Sequence, residues 1–308
     1  MERLIMDEYL NILGYDNRPE FLEKYLNVPS LLRLKNVGYF CGMDYASSNI
    51  YDFKEKITRY DHSLTVALIT WMLTKDIRAT LAGLFHDIST PCFSHVIDYM
   101  NKDYINQEST EEKTEDVIKS DKYLCECLAI DNIKVSDIAD FKQYSIVDLD
   151  RPMLCADRLD GIILTGLFWT KSIDIADVRK IIDDIVVFMN ERGSLEIGLN
   201  NNNIASLLVE TNDLIDVYCH SKEDNYMMEL LASITKRAIE IGLINYDDLF
   251  ILDEDSLVKM FGDSDDIEIK SNLDKFMNIG LSDVPVIDMP FVKKREIKPL
   301  IGNKRFKK

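Results

Sequence analysis

No two cysteines in this chain stand in a CxxC arrangement, and the six present, Cys41, Cys92, Cys125, Cys127, Cys155 and Cys219, show no framework spacing. A disulfide scaffold and a thiolate zinc site are therefore not expected, and reduced, mostly buried thiols are. No stretch approaches the ~20 apolar residues that a bilayer requires. The opening MERLIMDEYL carries acids and lacks a basic-then-apolar export pattern. The expectation is a cytoplasmic protein without membrane association. Bases are in deficit, 36 against 54 acids for a net charge of -18, which suits the phosphates of long nucleic acids poorly and points to a small substrate. A GxxxxGK phosphate loop, a GxSxG elbow and a GxGxxG opening are all absent, so a nucleotide would have to bind by another route.

What is present is a chain of 308 residues, 46% hydrophobic and 29% charged, ordinary values for a folded protein. Apolar residues recur at the helical period, as in Leu81, Leu84, Phe85 and Ile88, then Phe93, Val96, Ile97 and Met100. Further helices are expected near 20–26, 62–74, 111–129, 152–167, 174–190, 203–220 and 224–241. Strand signals are scarce and no repeat is evident, so the fold class is all-α. Asn200 to Asn203 and the acidic cluster Asp263, Asp265 and Asp266 mark loops. From Asp283 the text turns extended, as one short strand or hairpin or simply a tail. After Val292 come eight bases and one acid, Glu296. Such a run reads as a solvated end, with docking onto the acidic body of a second subunit as the alternative. The organisation expected is an N-terminal segment 1–27, a helical core 28–190 holding the site, a helical part 191–282 packed on it, and an extended basic tail 283–308.

Chemistry is concentrated in one place. Of four histidines, His62, His86 and His95 fall within a 34-residue window. His62 opens one helical pattern, and His86 with Asp87 closes another, so two helices can bring two imidazoles and a carboxylate to one point. Imidazole with carboxylate suits one divalent transition metal, Mn, Fe, Ni, Co or Zn, rather than Ca. Asp157 is the fourth candidate ligand. It lies in CADRLDGIILTG, apolar enough to be buried, where a lone carboxylate is costly and a metal removes the cost.

R-x-x-H-S-L, then L-x-H-D-I, then a later D resemble the HD superfamily of metal-dependent phosphohydrolases. VPSLLRLKNVGYF, FSH and AIEIGLINYDDLFILDEDSL resemble its deoxynucleotide triphosphohydrolase branch, the likeness running over about 28–262. The resemblance implies an HD-domain helical bundle with metal ligands His62, His86, Asp87 and Asp157. It also implies phosphate-gripping bases at Arg59 and Arg158, a catalytic part for Asp87 and a homo-oligomer. His95, the last residue of FSH, either takes a catalytic part by orienting a ligand or relaying a proton, or packs beside Phe93 with a backbone hydrogen bond. The pattern departs from that branch in three ways. H-D-I-G-H reads His86, Asp87, Ile88, Ser89, Thr90, without its last histidine. No histidine stands between His95 and His220, where NQESTEEKTED offers Glu108, Glu111 and Glu112 as substitute acid/base groups. The tyrosine and acid that follow the last metal Asp at four and eight residues are Gly161 and Thr165, which empties the face that walls a triphosphate. His220, at a helix end, is expected to have no chemical role. The function expected is hydrolysis of a small phosphate ester or anhydride, a nucleotide foremost, through a metal-activated water. The alternative is a catalytically weak or inactive nucleotide- and metal-binding regulator.

Overall fold

A computed structural model describes residues 3–105, 113–286 and 292–307, and the chain is mostly α-helical. Its centre is the helix Arg59–Thr74. Thr58 caps it, with the Thr58 side chain accepting from Asp61 N and the Asp61 carboxylate accepting from Thr58 N at 2.8 Å, a capping box. Lys75, at φ 55°, and Asp76 reverse the chain, and Asp76 caps the next helix, Ile77–Phe85. The two helices pack closely because position 83 lacks a side chain. A Cβ on Gly83 would stand 3.3 Å from both Thr70 Oγ1 and Val66 Cγ1. The helix Ala156–Phe168 packs on the first, and its Leu159, Ile163 and Leu164 share one buried core with Leu64, Val66 and Leu68.

That core is one hydrophobic cluster running from Met6 in the helix Leu4–Ile12 to Ile297 near the other end. Helices Asn202–Cys219, Lys222–Glu240, Glu254–Asp263 and Ile267–Asn278 pack on its second side. The expected helix over 111–129 is broken within the described residues into Thr114–Ser120 and Lys122–Ile130, where extended Asp121 caps the second with its own carboxylate.

The departure from an all-helical reading is a small four-stranded sheet. The expected helix 174–190 ends at Asp184, and β1 (Ile185–Met189) follows. The run Ile185, Val186, Val187, Phe188 is mostly β-branched, and such residues favour a strand. A turn through Asn190 and Gly193, the glycine at φ 76°, leads to β2 (Leu195–Leu199), antiparallel to β1. β3 (Leu300–Ile301) adds parallel to β2, and β4 (Lys304–Arg305) folds back on β3 around Gly302.

The basic end is thus extended but is not a solvated tail. Val292, Ile297 and Leu300 are buried, and Arg305 pairs with Glu191 at 2.7 Å and with fully buried Glu196 at 2.8 Å. The acids it docks on belong to its own chain. Among the described residues no helix is long and apolar enough to cross a membrane.

Candidate metal centre and its cavity

The three helices converge on four side chains. His62 lies one turn into its helix, His86 and Asp87 just beyond Phe85, and Asp157 in the first turn of the Ala156–Phe168 helix. Donor atoms of His62, His86 and Asp87 lie within 4.8 Å of one another. Asp157 Oδ1 is 3.0 Å from His62 Nε2 and 3.6 Å from His86 Nε2. Asp157 thus reaches both imidazoles of the group formed by His62, His86 and Asp87.

Neighbours set the tautomers. His86 Nδ1 donates to the carbonyl of Gly83 at 2.7 Å, which leaves Nε2 as its lone-pair nitrogen, buried and without a hydrogen-bond partner. His62 Nδ1 donates to Asp160 Oδ2 at 2.7 Å, and Asp160 Oδ1 also accepts from Tyr9 at 2.6 Å. A carboxylate behind an imidazole is the usual support of a metal-binding histidine, fixing the ring and raising its basicity. The donor set fits a divalent transition ion, with two lone-pair nitrogens and two carboxylates facing one another.

Electrostatics agree with that set. Burial opposes protonation of His62, but Asp157 and Asp160 outweigh it and hold its imidazole up at about 10 without a metal. Burial raises the Asp157 carboxyl, yet a hydrogen bond from His62 and the neighbouring imidazole of His86 hold it well below the usual carboxylate range. Asp87 is held low against burial by His86, Arg59 and His62.

Arg59 donates from Nη1 to Asp87 Oδ2 at 2.9 Å and from Nε to Ser94 Oγ at 3.1 Å. It positions a ligand and clamps the loop that follows. Phe93 and Ser94 in that loop have φ of 64° and 46°, a conformation costing side-chain-bearing residues about 1–3 kcal/mol each. Phe93 N is held from the other side by Glu254 Oε1 at 2.8 Å. His95 lines the cavity, its Nδ1 paired at 2.8 Å with buried Asp98.

The site opens into a cavity of about 630 Å³, walled by Tyr39, Phe40, Tyr51, Phe53 and Trp169 among others. Phe40 and Phe53 stack with centroids 4.3 Å apart. The face over Gly161 is not emptied as expected. Tyr39 fills it from another element, its hydroxyl 3.2 Å from where a Cβ on Gly161 would sit and its ring 5.2 Å from that of His62. Arg158 lines the same cavity, but its Nη1 and Nη2 donate to the carbonyls of Met153 and Leu149, with Asp148 at 3.8 Å.

Glu108, Glu111 and Glu112 lie outside the described residues. His220 sits at its helix end, hydrogen-bonded to the carbonyls of Asp216 and Val292. Sequence reasoning missed Asp160, Tyr39, Arg151 and Arg295. Only Asp160 left a usable signal, as a second acid three residues after Asp157 on an apolar helix.

Comparison with known proteins bears on the same stretch. An uncharacterized protein of Bacillus subtilis, YdhJ, is 26% identical over 259 residues, 80% of this chain and 72% of that one. The metal-dependent phosphohydrolase cns2 of Cordyceps militaris is 26% identical over 137 residues, which are 43% of this chain and 38% of that protein. Residues 59–161 match the family model of the HD domain. That match begins at Arg59 and takes in every ligand from His62 to Asp157, so the segment that holds the site carries the HD-domain pattern.

Proposed function

We propose that the protein hydrolyses a small phosphate ester or anhydride, with nucleotides the foremost class, at the centre built by His62, His86, Asp87 and Asp157. The observation that carries this reading is the unpartnered Nε2 of His86, facing three other donors at the floor of a cavity of about 630 Å³. That volume lies within the ~300–1,000 Å³ range of small-molecule sites. A divalent ion held there supplies Lewis-acid polarisation of a phosphoryl oxygen and acidification of a water. The chain's own groups do the rest. Asp160 keeps His62 in the ligating tautomer, and Arg59 holds Asp87 in place while presenting positive charge at the cavity floor. His95, steadied by Asp98, is the remaining group able to carry a proton at Nε2. The aromatic wall of Phe40, Phe53 and Trp169 excludes water and offers ring faces to a base.

Phosphate release from a panel of nucleotides and phosphomonoesters with Mn, Co, Ni or Mg tests the proposal, and absence of product with every pair sinks it. One observation favours a second reading, a regulator that binds nucleotide without turnover. Thr90, in the place of the family's acid/base histidine, is fully buried and does not line the cavity. Nucleotide binding by calorimetry with no product selects that reading. Self-association, proposed on analogy alone, is read by sedimentation.

A further inference from the structure

Three guanidinium groups from three separate segments line the cavity, near enough for Arg158 and Arg295 to act on Arg151. Arg151 comes from the turn before the Ala156–Phe168 helix, Arg158 from that helix, and Arg295 from the basic segment after Val292. Each has one buried nitrogen without a hydrogen-bond partner, Nη1 of Arg151 and Nε of Arg158 and Arg295. For Arg151, no hydrogen bond or ion pair of the guanidinium is found among the described residues.

The acids lining the same cavity do not account for this charge. Asp157 faces the histidines, and Asp148 stands 3.8 Å from Arg158. Asp150 pairs with Arg192 at the surface, at 3.2 Å. Asp224, which accepts from Tyr51 at 2.6 Å, is pushed up to about 6 by burial. Burial together with Arg158 and Arg295 drives Arg151 down to about 10. The protein therefore keeps like charges together with N–H groups unmet, an arrangement costly unless an anion completes it.

The segment carrying Arg295 is held for that purpose. Arg295 N donates to Asp216 Oδ1 and its carbonyl accepts from Asn212 Nδ2, both at 2.6 Å. Three residues on, Lys298 N donates to the carbonyl of Pro152 at 2.8 Å, which ties the strap to the turn that carries Arg151. β3 and β4 then anchor its far end.

We propose that Arg151, Arg158 and Arg295 form an oxyanion subsite beside the metal centre, taking a phosphate-type group through their free N–H donors, and that the C-terminal strap completes it. The subsite deepens the proposed function by giving the substrate a second anionic group, and it rests on that reading only for the identity of its natural ligand.

The test separates the two. Calorimetry on chelator-treated full-length protein, with inorganic pyrophosphate and with inorganic phosphate as probes, reads the subsite without the metal. Arg295→Gln and Arg151→Gln should each weaken pyrophosphate by about tenfold or more. Arg192→Gln, the same charge loss at the surface, should change it by no more than about twofold. Arg295→Lys, which keeps the charge and loses the fork, should fall between. Unchanged melting temperatures show that the variants are folded. Pyrophosphate tighter than phosphate marks a second group of the substrate, and equal affinities mark free phosphate. No binding by the wild type, unaltered affinity in both variants, or equal weakening by Arg192→Gln overturns the subsite. None of these outcomes depends on turnover.

Discussion

Glu254 sits fully buried behind the loop that carries His95, with Oε1 accepting from Phe93 N and Oε2 without a partner. Asp44 Oδ2 is likewise buried and unpartnered, and a Cβ on Gly38 would stand 2.8 Å from it and 2.9 Å from Glu254 Oε2. Two carboxyl groups this close and this dry cannot both ionise cheaply. Burial above all, with Asp44 adding to it, pushes Glu254 from 4.5 to about 7, and burial lifts Asp44 from 3.8 to about 6. A carboxyl raised in the folded state binds a proton there that the unfolded chain has released. Its contribution to stability is complete below the unfolded value and is lost as pH rises through the folded one. For Glu254 alone the loss between pH 5 and pH 8 comes to about 2.5 kcal/mol by linkage. Glu254→Gln keeps an acceptor for Phe93 N and replaces the ionisable oxygen by an amide that can donate to Asp44. The variant should therefore gain about 2.5 kcal/mol on the wild type between pH 5 and pH 8. Urea unfolding of both proteins at the two values, on chelator-treated samples, measures it. A difference that moves by less than about 0.5 kcal/mol would refute the raised carboxyl assigned to Glu254.

Replacing Asp157 by alanine should empty the metal centre, read by elemental analysis as a fall from about one transition ion per chain; full occupancy in the variant would show that the ligand is another group. Asp160→Asn should leave the helix in place and lower metal affinity by about 10- to 100-fold in a competitive titration, because the carboxylate behind His62 is gone; an unaltered affinity removes Asp160 from the site. Since His62 is held up at about 10 without metal, binding at pH 7 must displace its proton. Calorimetry in buffers of different ionisation enthalpy should show net proton release and affinity that rises with pH; no proton release contradicts the ligating role of His62. Each dNTP should yield nucleoside and tripolyphosphate well below ~1 s⁻¹, since Thr90 cannot shuttle a proton, while metal-dependent release from another phosphate substrate persists. Chromatography of the products decides it.

The parts of this fold legible in the sequence are those that local periodicity writes. The helices of His62, His86 and Asp157 announce themselves through their apolar spacing, and with them the ligand set. β1 escaped notice because Ile185 to Phe188 directly continues an amphipathic helix, where a short apolar run carries no period of its own. The strap was misread because its partners lie far off in sequence. Leu300 pairs with Gly198, Arg305 with Glu191 and Glu196, and Arg295 with Asp216. Eight bases in a row of sixteen look solvated until their acids are placed in space. Gly161 was read as vacant volume for the same reason, because Tyr39 reaches it from 122 positions earlier in the chain.

These long-range contacts divide the site by origin. Every metal ligand, with Arg59, Asp160 and Gly161, lies in the matched segment 59–161. Part of the cavity wall, Arg151 and Arg158 included, lies there too, but much of it does not. Tyr39, Phe40, Tyr51 and Phe53 precede that segment, while Trp169, Asp224 and Arg295 follow it. Even the loop of His95 is braced from Glu254, 161 positions from Phe93. A substitution of a metal ligand or of Asp160 behind it should therefore act on metal binding and turnover together, whereas one in the cavity walls or strap should change which phosphate compound binds while leaving metal content intact. Arg295→Gln is the sharpest case, because its backbone bonds to Asn212 and Asp216 survive the change. Loss of bound metal from folded Arg295→Gln protein, measured by elemental analysis, would show that the strap supports the metal centre itself and would undo this division.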